Sequence, residues 1–104
     1  MKMPKSIGLV HFIGIGGSAM ASAAVAMHEL GYQVTGSDQD VIYPPMSTFL
    51  AERGIRVMAG YTEVNLSQHP DLVVVGNAIS RGNPEAEAVL ERKLRLNFLM
   101  NMVH

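Results

Sequence analysis

The sequence contains no cysteine and no tryptophan. The missing thiol rules out a disulfide framework, a thiolate metal site and a cysteine nucleophile, and it agrees with a reducing compartment. An excess of one charge sign is missing as well: eight Lys and Arg stand against nine Asp and Glu, for a net charge of −1. With no basic cluster to neutralise several phosphates, the composition argues against electrostatically driven binding to nucleic acid or to a membrane surface. Long apolar runs are absent too. The opening MKMPKSIGLV leads into HFIGIGG instead of a small-residue cleavage site, and no stretch approaches the roughly eighteen residues of a membrane span. These features lead us to expect a cytoplasmic protein.

The chemistry-bearing patterns that do not occur narrow the function further. His28, His69 and His104 are scattered, with no His-x-x-x-His and no carboxylate cluster, so no metal ligand is assigned. His11 lies inside an apolar stretch and reads as a hydrogen-bonded core residue. There is no G-x-S-x-G and no pair of acids, so no catalytic residue is assigned. The ATP-cradling pattern G-x-x-x-x-G-K-[ST] occurs nowhere.

What is present fits one folded unit. At 104 residues with 48% apolar side chains, the chain can build a single core. IGLVHFI, residues 7–13, is a short apolar run of the kind that forms a parallel strand buried on both faces. From Ser18 to Leu30 apolar residues recur at three- and four-residue spacing, which predicts a helix with Gly31 as its left-handed cap. A second strand is expected over Tyr32–Asp38, a helix over PPMSTFLAERG, and a third strand over Ile55–Gly60. LVVVG, residues 72–76, is the next strand. In NPEAEAVLERK, Asn83 is placed to cap and Pro84 to occupy the first helical turn, while Glu85 and Glu87 suit the positive end. RLNFLM supplies a last strand. Alternating strands and helices predict an α/β, doubly wound parallel sheet of about five strands, Rossmann-like, in one domain.

The junction of the first strand and helix reads HFIGIGGSAM. Gly14, Gly16 and Ala19 satisfy G-x-G-x-x-G/A directly after a strand and at the opening of a helix, the place where that pattern binds phosphate. Gly14 allows the tight turn, Gly16 and Gly17 let backbone N–H groups approach a phosphate, and Ser18 adds a hydroxyl. Asp38, at the end of the second strand, stands near the offset at which a dinucleotide fold puts an acid on a ribose, and equally suits a solvated turn. The expected crevice lies between the first strand and LVVVG, so Asn77, Ala78, Ile79 and Ser80 face the glycine turn, with Asn77 the polar candidate. On these residues alone, the NAD(P)-binding domain of a dehydrogenase and a non-enzymatic nucleotide-sensing domain both stay open.

From His11 to about Leu94 the chain resembles the N-terminal domain of the Mur ligases, the ATP-dependent amide-forming enzymes of peptidoglycan synthesis. HFIGIGGSAMA resembles the uridine-nucleotide-binding turn of the muramate–alanine ligase branch. GSDQDVIYPPMST and GNAISRGNPEAEAVLE resemble more closely the murein peptide ligase branch, and neither alternative explains that pair. The resemblance implies a UDP-N-acetylmuramate site, with Gly14, Gly16, Gly17 and Ser18 at the diphosphate, Ser37 and Asp38 at the uridine, and Asn77, Ala78 and Ile79 on the far wall. It implies that residues 1–104 form the UDP-sugar-binding domain of a larger ligase that uses ATP and Mg2+ to attach recycled L-alanyl-γ-D-glutamyl-meso-diaminopimelate. The ATP-binding and C-terminal domains of the family have no counterpart here, so the chain by itself is expected to be inactive. The segment NFLMNMVH departs from the family pattern.

Overall fold

A computed structural model describes residues 8–76, 79–92 and 96–98. Five strands alternate with helices: β1 (Leu9–Ile13), α1 (Ser18–Glu29), β2 (Gln33–Asp38), α2 (Met46–Ala51), β3 (Arg56–Ala59), a 3-10 turn (Glu63–Leu66), β4 (Leu72–Val75), α3 (Pro84–Glu91) and β5 (Leu96–Phe98). The strands form one sheet in the order β3-β2-β1-β4-β5, and every neighbouring pair is parallel. The α/β class and the five-stranded doubly wound sheet match the sequence-based expectation.

Strand alternation explains the two-sided core. Val10 and Phe12 of β1 and Leu72 and Val74 of β4 join a cluster under α1 and α2 with Ile15, Met20, Ala24 and Leu50. Ile13, Val73 and Val75 point the other way, toward Leu66, Ala88 and Val89 of the 3-10 turn and α3. Burying a side chain such as Phe12 contributes about 1.5–3 kcal/mol, so the sheet is held by residues that read as near-continuous apolar runs. Ile15, just past β1, folds back over β2, where a Cβ on Gly36 would lie 2.7 Å from the Ile15 Cβ.

Element ends differ modestly from the sequence pattern. α1 closes at Glu29, with Leu30 as its cap and Gly31 at φ +101°, the left-handed residue the sequence suggested. α2 is shorter than PPMSTFLAERG: its regular part ends at Ala51, and the Arg53 and Gly54 N–H groups donate three residues back, to Leu50 and Ala51. The 3-10 turn carries no apolar periodicity and the sequence pattern misses it; Thr62 caps it by accepting from the Val64 N–H. Ile7, Lys93, Arg95, Leu99 and Met100, expected at element ends, lie outside the described residues.

The strand order sets the position of the site. The chain runs outward from β1 through β2 to β3, then returns to place β4 on the other side of β1. At such a reversal the loops after the two central strands diverge and leave a crevice beyond their carboxyl ends.

Candidate functional site

That crevice is present as a cleft of about 800 Å³. Its lining comes from loops at the carboxyl ends of four strands: Gly14, Gly17 and Ser18 after β1, Asp38 and Gln39 at β2, Tyr61 beyond β3, and Gly76 and Ile79–Asn83 after β4. The volume falls in the usual range for a small-molecule site.

The glycine turn is held from below by β2. Gly14 adopts φ +88°, and the N–H groups of Gly14 and Ile15 both donate to the Ser37 carbonyl, at 2.8 and 3.0 Å. The Gly16 N–H donates to Asp38 Oδ2 at 2.7 Å. The first helical bond of α1 runs from the Ala21 N–H to Gly17 O at 2.8 Å, so the amides of Ser18, Ala19 and Met20 have no carbonyl within the helix to meet. Gly17, the N-cap, brings no capping side chain, and Gly17, Ser18 and Ala19 are exposed at the cleft. At this helix end the macrodipole favours an anion.

The opposite wall is the loop after β4. Ile79 reaches across to the glycine turn: a Cβ on Gly14 would stand 3.0 Å from Ile79 Cδ1 and 3.8 Å from the Tyr61 hydroxyl. Arg81 is exposed and is the only cationic side chain among the described lining residues. Tyr61 is half-buried; burial, then the charges of Asp38 and Glu85, push its hydroxyl from 10.0 up to about 12. It is therefore a neutral hydrogen-bond donor at physiological pH.

The sequence-predicted residues divide on this geometry. Gly14, Gly17, Ser18, Asp38 and Ile79 line one cleft. Gly16 plays another part: its amide is taken by Asp38, and a Cβ there would lie 2.7 Å from Asp38 Oδ2 and 2.8 Å from Ile42 Cγ2. The absence of a side chain at Gly16 makes room for the Asp38 brace. Asp38 accepts from Gly16 and, through Oδ1, from the Gln39 N–H at 2.8 Å, so its carboxylate braces the turn at the edge of the cleft. Ser37 does not face the cleft; its side chain is fully buried and its hydroxyl donates to Glu85 Oε2 at 2.7 Å. An inward-facing position in the strand, by alternation with Asp38, is the physical reason. Asn77 and Ala78 lie outside the described residues. Tyr61, Gln39, Arg81 and Asn83 also line the cleft and escaped the sequence reading, since each sits in a loop where only the topology makes it a neighbour.

Beneath the cleft lies a buried polar cluster. His11 is hydrogen-bonded in the core, as its setting in the sequence suggested: Nε2 donates to Glu85 Oε2 at 2.6 Å, and Nδ1 meets Thr35 Oγ1 at 2.7 Å. Glu85 Oε1 accepts from Asn65 Nδ2 at 2.6 Å and from the Thr62 N–H at 3.2 Å. Burial pushes the Glu85 carboxyl up, but hydrogen bonds from His11, Ser37 and Asn65 outweigh it and hold the group below its usual value. Among the described residues, no group of three or more potential metal ligands forms.

A family profile described as "Mur ligase family, catalytic domain" matches residues 9–103. The UDP-N-acetylmuramate–L-alanyl-γ-D-glutamyl-meso-2,6-diaminoheptandioate ligase of Haemophilus influenzae is 50% identical over 86 residues, covering 83% of this chain and 19% of that protein. The UDP-N-acetylmuramate–L-alanine ligase of Methylobacterium sp. (strain 4-46) is 48% identical over 94 residues, covering 90% of this chain and 19% of that protein. The crystal structure of a murein peptide ligase from Psychrobacter arcticus superposes with a TM-score of 0.81 at 44% identity, over 86% of this chain and 18% of that one. The chain thus spans about a fifth of the length of the curated relatives it matches. Over nearly all of its own length, the chain belongs to the Mur ligase family.

Proposed function

We propose that this chain is the UDP-N-acetylmuramate-binding domain of a cytoplasmic ATP-dependent ligase that joins the muramyl carboxylate to recycled L-alanyl-γ-D-glutamyl-meso-diaminopimelate. The observation that carries this reading is the cleft itself. An uncapped helix end at Gly17 and Ser18 faces Arg81 across the switch point between β1 and β4, an arrangement suited to a diphosphate. In this reading Gly17, whose N–H donates to Gly14 O, leaves the turn open, and the amides of Ser18 and Ala19 and the Ser18 hydroxyl meet the diphosphate. Arg81 supplies the countercharge, Tyr61 offers a neutral hydroxyl, and Ile79 forms the far wall, a part that the resemblance also gives to Asn77 and Ala78. Gly14 shapes the turn, Gly16 and Asp38 hold it, and Ser37 supports it from the core. Uridine contact is left to the cleft edge at Asp38 and Gln39.

The tripeptide, ATP and Mg2+ belong, in the same reading, to parts of the enzyme outside these residues. The sequence has no G-x-x-x-x-G-K-[ST], and the described residues contain no carboxylate cluster fit for a metal. Relatives with either peptide or alanine substrates share this domain at similar identity, so the amino substrate is chosen elsewhere. The peptide branch is favoured by GSDQDVIYPPMST and GNAISRGNPEAEAVLE.

Calorimetric titration of the chain with UDP-N-acetylmuramate, UDP and NAD tests the proposal. Binding of the two UDP compounds in preference to NAD is expected; tighter binding of NAD would overturn it in favour of a dehydrogenase cofactor domain.

A further inference from the structure

We propose that the buried Glu85–His11 pair is a positioning device for the cleft: it fixes the separation of the walls that hold the ligand's diphosphate, without touching the ligand. The inference rests on reading the cleft as a UDP site. Strand alternation turns His11 toward the face covered by α3, and the Asn83 cap with Pro84 in the first turn fixes where Glu85 points. The two side chains are 1% and 0% exposed and meet at 2.6 Å, so neither reaches a bound molecule. Their effect has to pass through their partners.

Those partners are neighbours of the cleft on three sides. Ser37, which donates to Glu85 Oε2, precedes Asp38, and its carbonyl carries the Gly14 and Ile15 amides. Thr62, whose N–H donates to Glu85 Oε1, follows Tyr61. Asn83 lines the cleft and accepts the Glu85 N–H at 3.0 Å. One carboxylate therefore ties the glycine turn, the Tyr61 segment and the start of α3 to one another. A hydrophobic side chain could pack α3 onto β1, and replacing buried ion pairs in that way is often neutral or stabilising. Apolar contact is non-directional, however, and would let the walls slide, whereas hydrogen bonds at these distances fix direction and spacing. The carboxylate accepts four donors here, which no apolar group can replace.

Glutamine should retain most of this function. Its oxygen can serve Asn65 and the Thr62 N–H, while its amide donates toward Ser37 Oγ and His11 Nε2. His11 then takes the tautomer that donates from Nδ1 to Thr35. Alanine has no such solution.

The test compares the parent chain with Glu85→Ala, Glu85→Gln and Ser37→Ala, each confirmed folded by circular dichroism. Two quantities are read: UDP affinity, and amide hydrogen exchange at Gly14 and Ile15 relative to Asp71, whose N–H donates to Leu9 O at the far end of the sheet. We expect UDP affinity to fall about tenfold or more in Glu85→Ala and about threefold to tenfold in Ser37→Ala, with Glu85→Gln close to the parent. Exchange at Gly14 and Ile15 should accelerate about tenfold beyond any change at Asp71 in Glu85→Ala. A purely structural pair would lower stability and leave the affinity of folded molecules unchanged; that result, or exchange rising equally at both ends of the sheet, overturns the inference. Should Glu85→Ala fail to fold, Ser37→Ala and Glu85→Gln carry the same comparison. If the parent chain itself ignores UDP, the functional reading fails, and hydrogen exchange still decides the positioning role.

Discussion

Gly16 and Gly17 are adjacent in the chain and opposite in what they tolerate. A methyl group on Gly16 would collide with Asp38 and Ile42, whereas one on Gly17 would meet nothing nearer than Gly14 O at 3.8 Å. Gly17 also sits at φ −67° and ψ 144°, which any residue adopts, so no strain opposes a side chain there. Gly16→Ala is therefore expected to cost about 1–3 kcal/mol of stability by forcing Asp38 off the turn. Gly17→Ala should change stability by less than about 0.5 kcal/mol. It should nonetheless weaken UDP binding about tenfold, because the new methyl projects where a phosphate oxygen must approach, and leave uridine binding unchanged. Denaturant melts with parallel UDP and uridine titrations check the pair. Equal UDP affinity in folded Gly17→Ala would move the diphosphate away from this turn. In the sequence both glycines read as phosphate contacts. Only the packing of Asp38 and Ile42 separates them, and side-chain contact across 22 positions leaves no local signal.

The two well-formed helices differ at their N-termini in a way that assigns them different work. Asn83 closes α3 by accepting from the N–H groups of Glu85 and Ala86 at 3.0 Å each, and Glu85 and Glu87 lie in its first turn. α1 has neither a capping side chain nor an acid in its first turn, and it opens onto the cleft. The capped end builds a wall of the cleft; the uncapped end opens onto it. Asn83→Ala should cost about 1 kcal/mol, the usual worth of such a cap, read as a lower urea midpoint with an unchanged slope. A stability equal to the parent's would mean that Pro84 and the Glu85 cluster fix the first turn unaided. This cap was legible in the sequence because Asn-Pro-Glu is a local signal. The open end of α1 was legible too, since Gly-Gly-Ser ahead of an alanine-rich run offers little to close it. The 3-10 turn over Glu63–Leu66 was not legible, because its order comes from Thr62 and from α3 packing over Leu66.

For the whole molecule, the buried cluster links the fold to pH. Glu85 titrates below its ordinary value of 4.5 in the folded state, because its hydrogen bonds outweigh the cost of burial. The unfolded chain then binds the proton more readily, so the stability from this group is fully present above the ordinary value and is lost as pH falls through the lowered one. Melting temperature should therefore drop as pH falls below about 4.5, and the drop should be shallower in Glu85→Gln, which has no proton to take up at that position. Equal acid sensitivity in the two proteins would assign the loss to other carboxylates. The amino-acid sequence by itself determined the order of the strands and α-helices, the parallel sheet, the glycine turn and the Asn83 cap, because each is written in contiguous residues through apolar periodicity, turn chemistry or capping. The tertiary structure alone decided that Ser37 faces the core, that Gly16 is reserved for Asp38, that Tyr61 and Arg81 join the cleft, and that Glu85 pairs with His11. His11 and Glu85 stand 74 positions apart. Which distant side chains share a buried volume is set by strand order and register, and no local pattern carries that information.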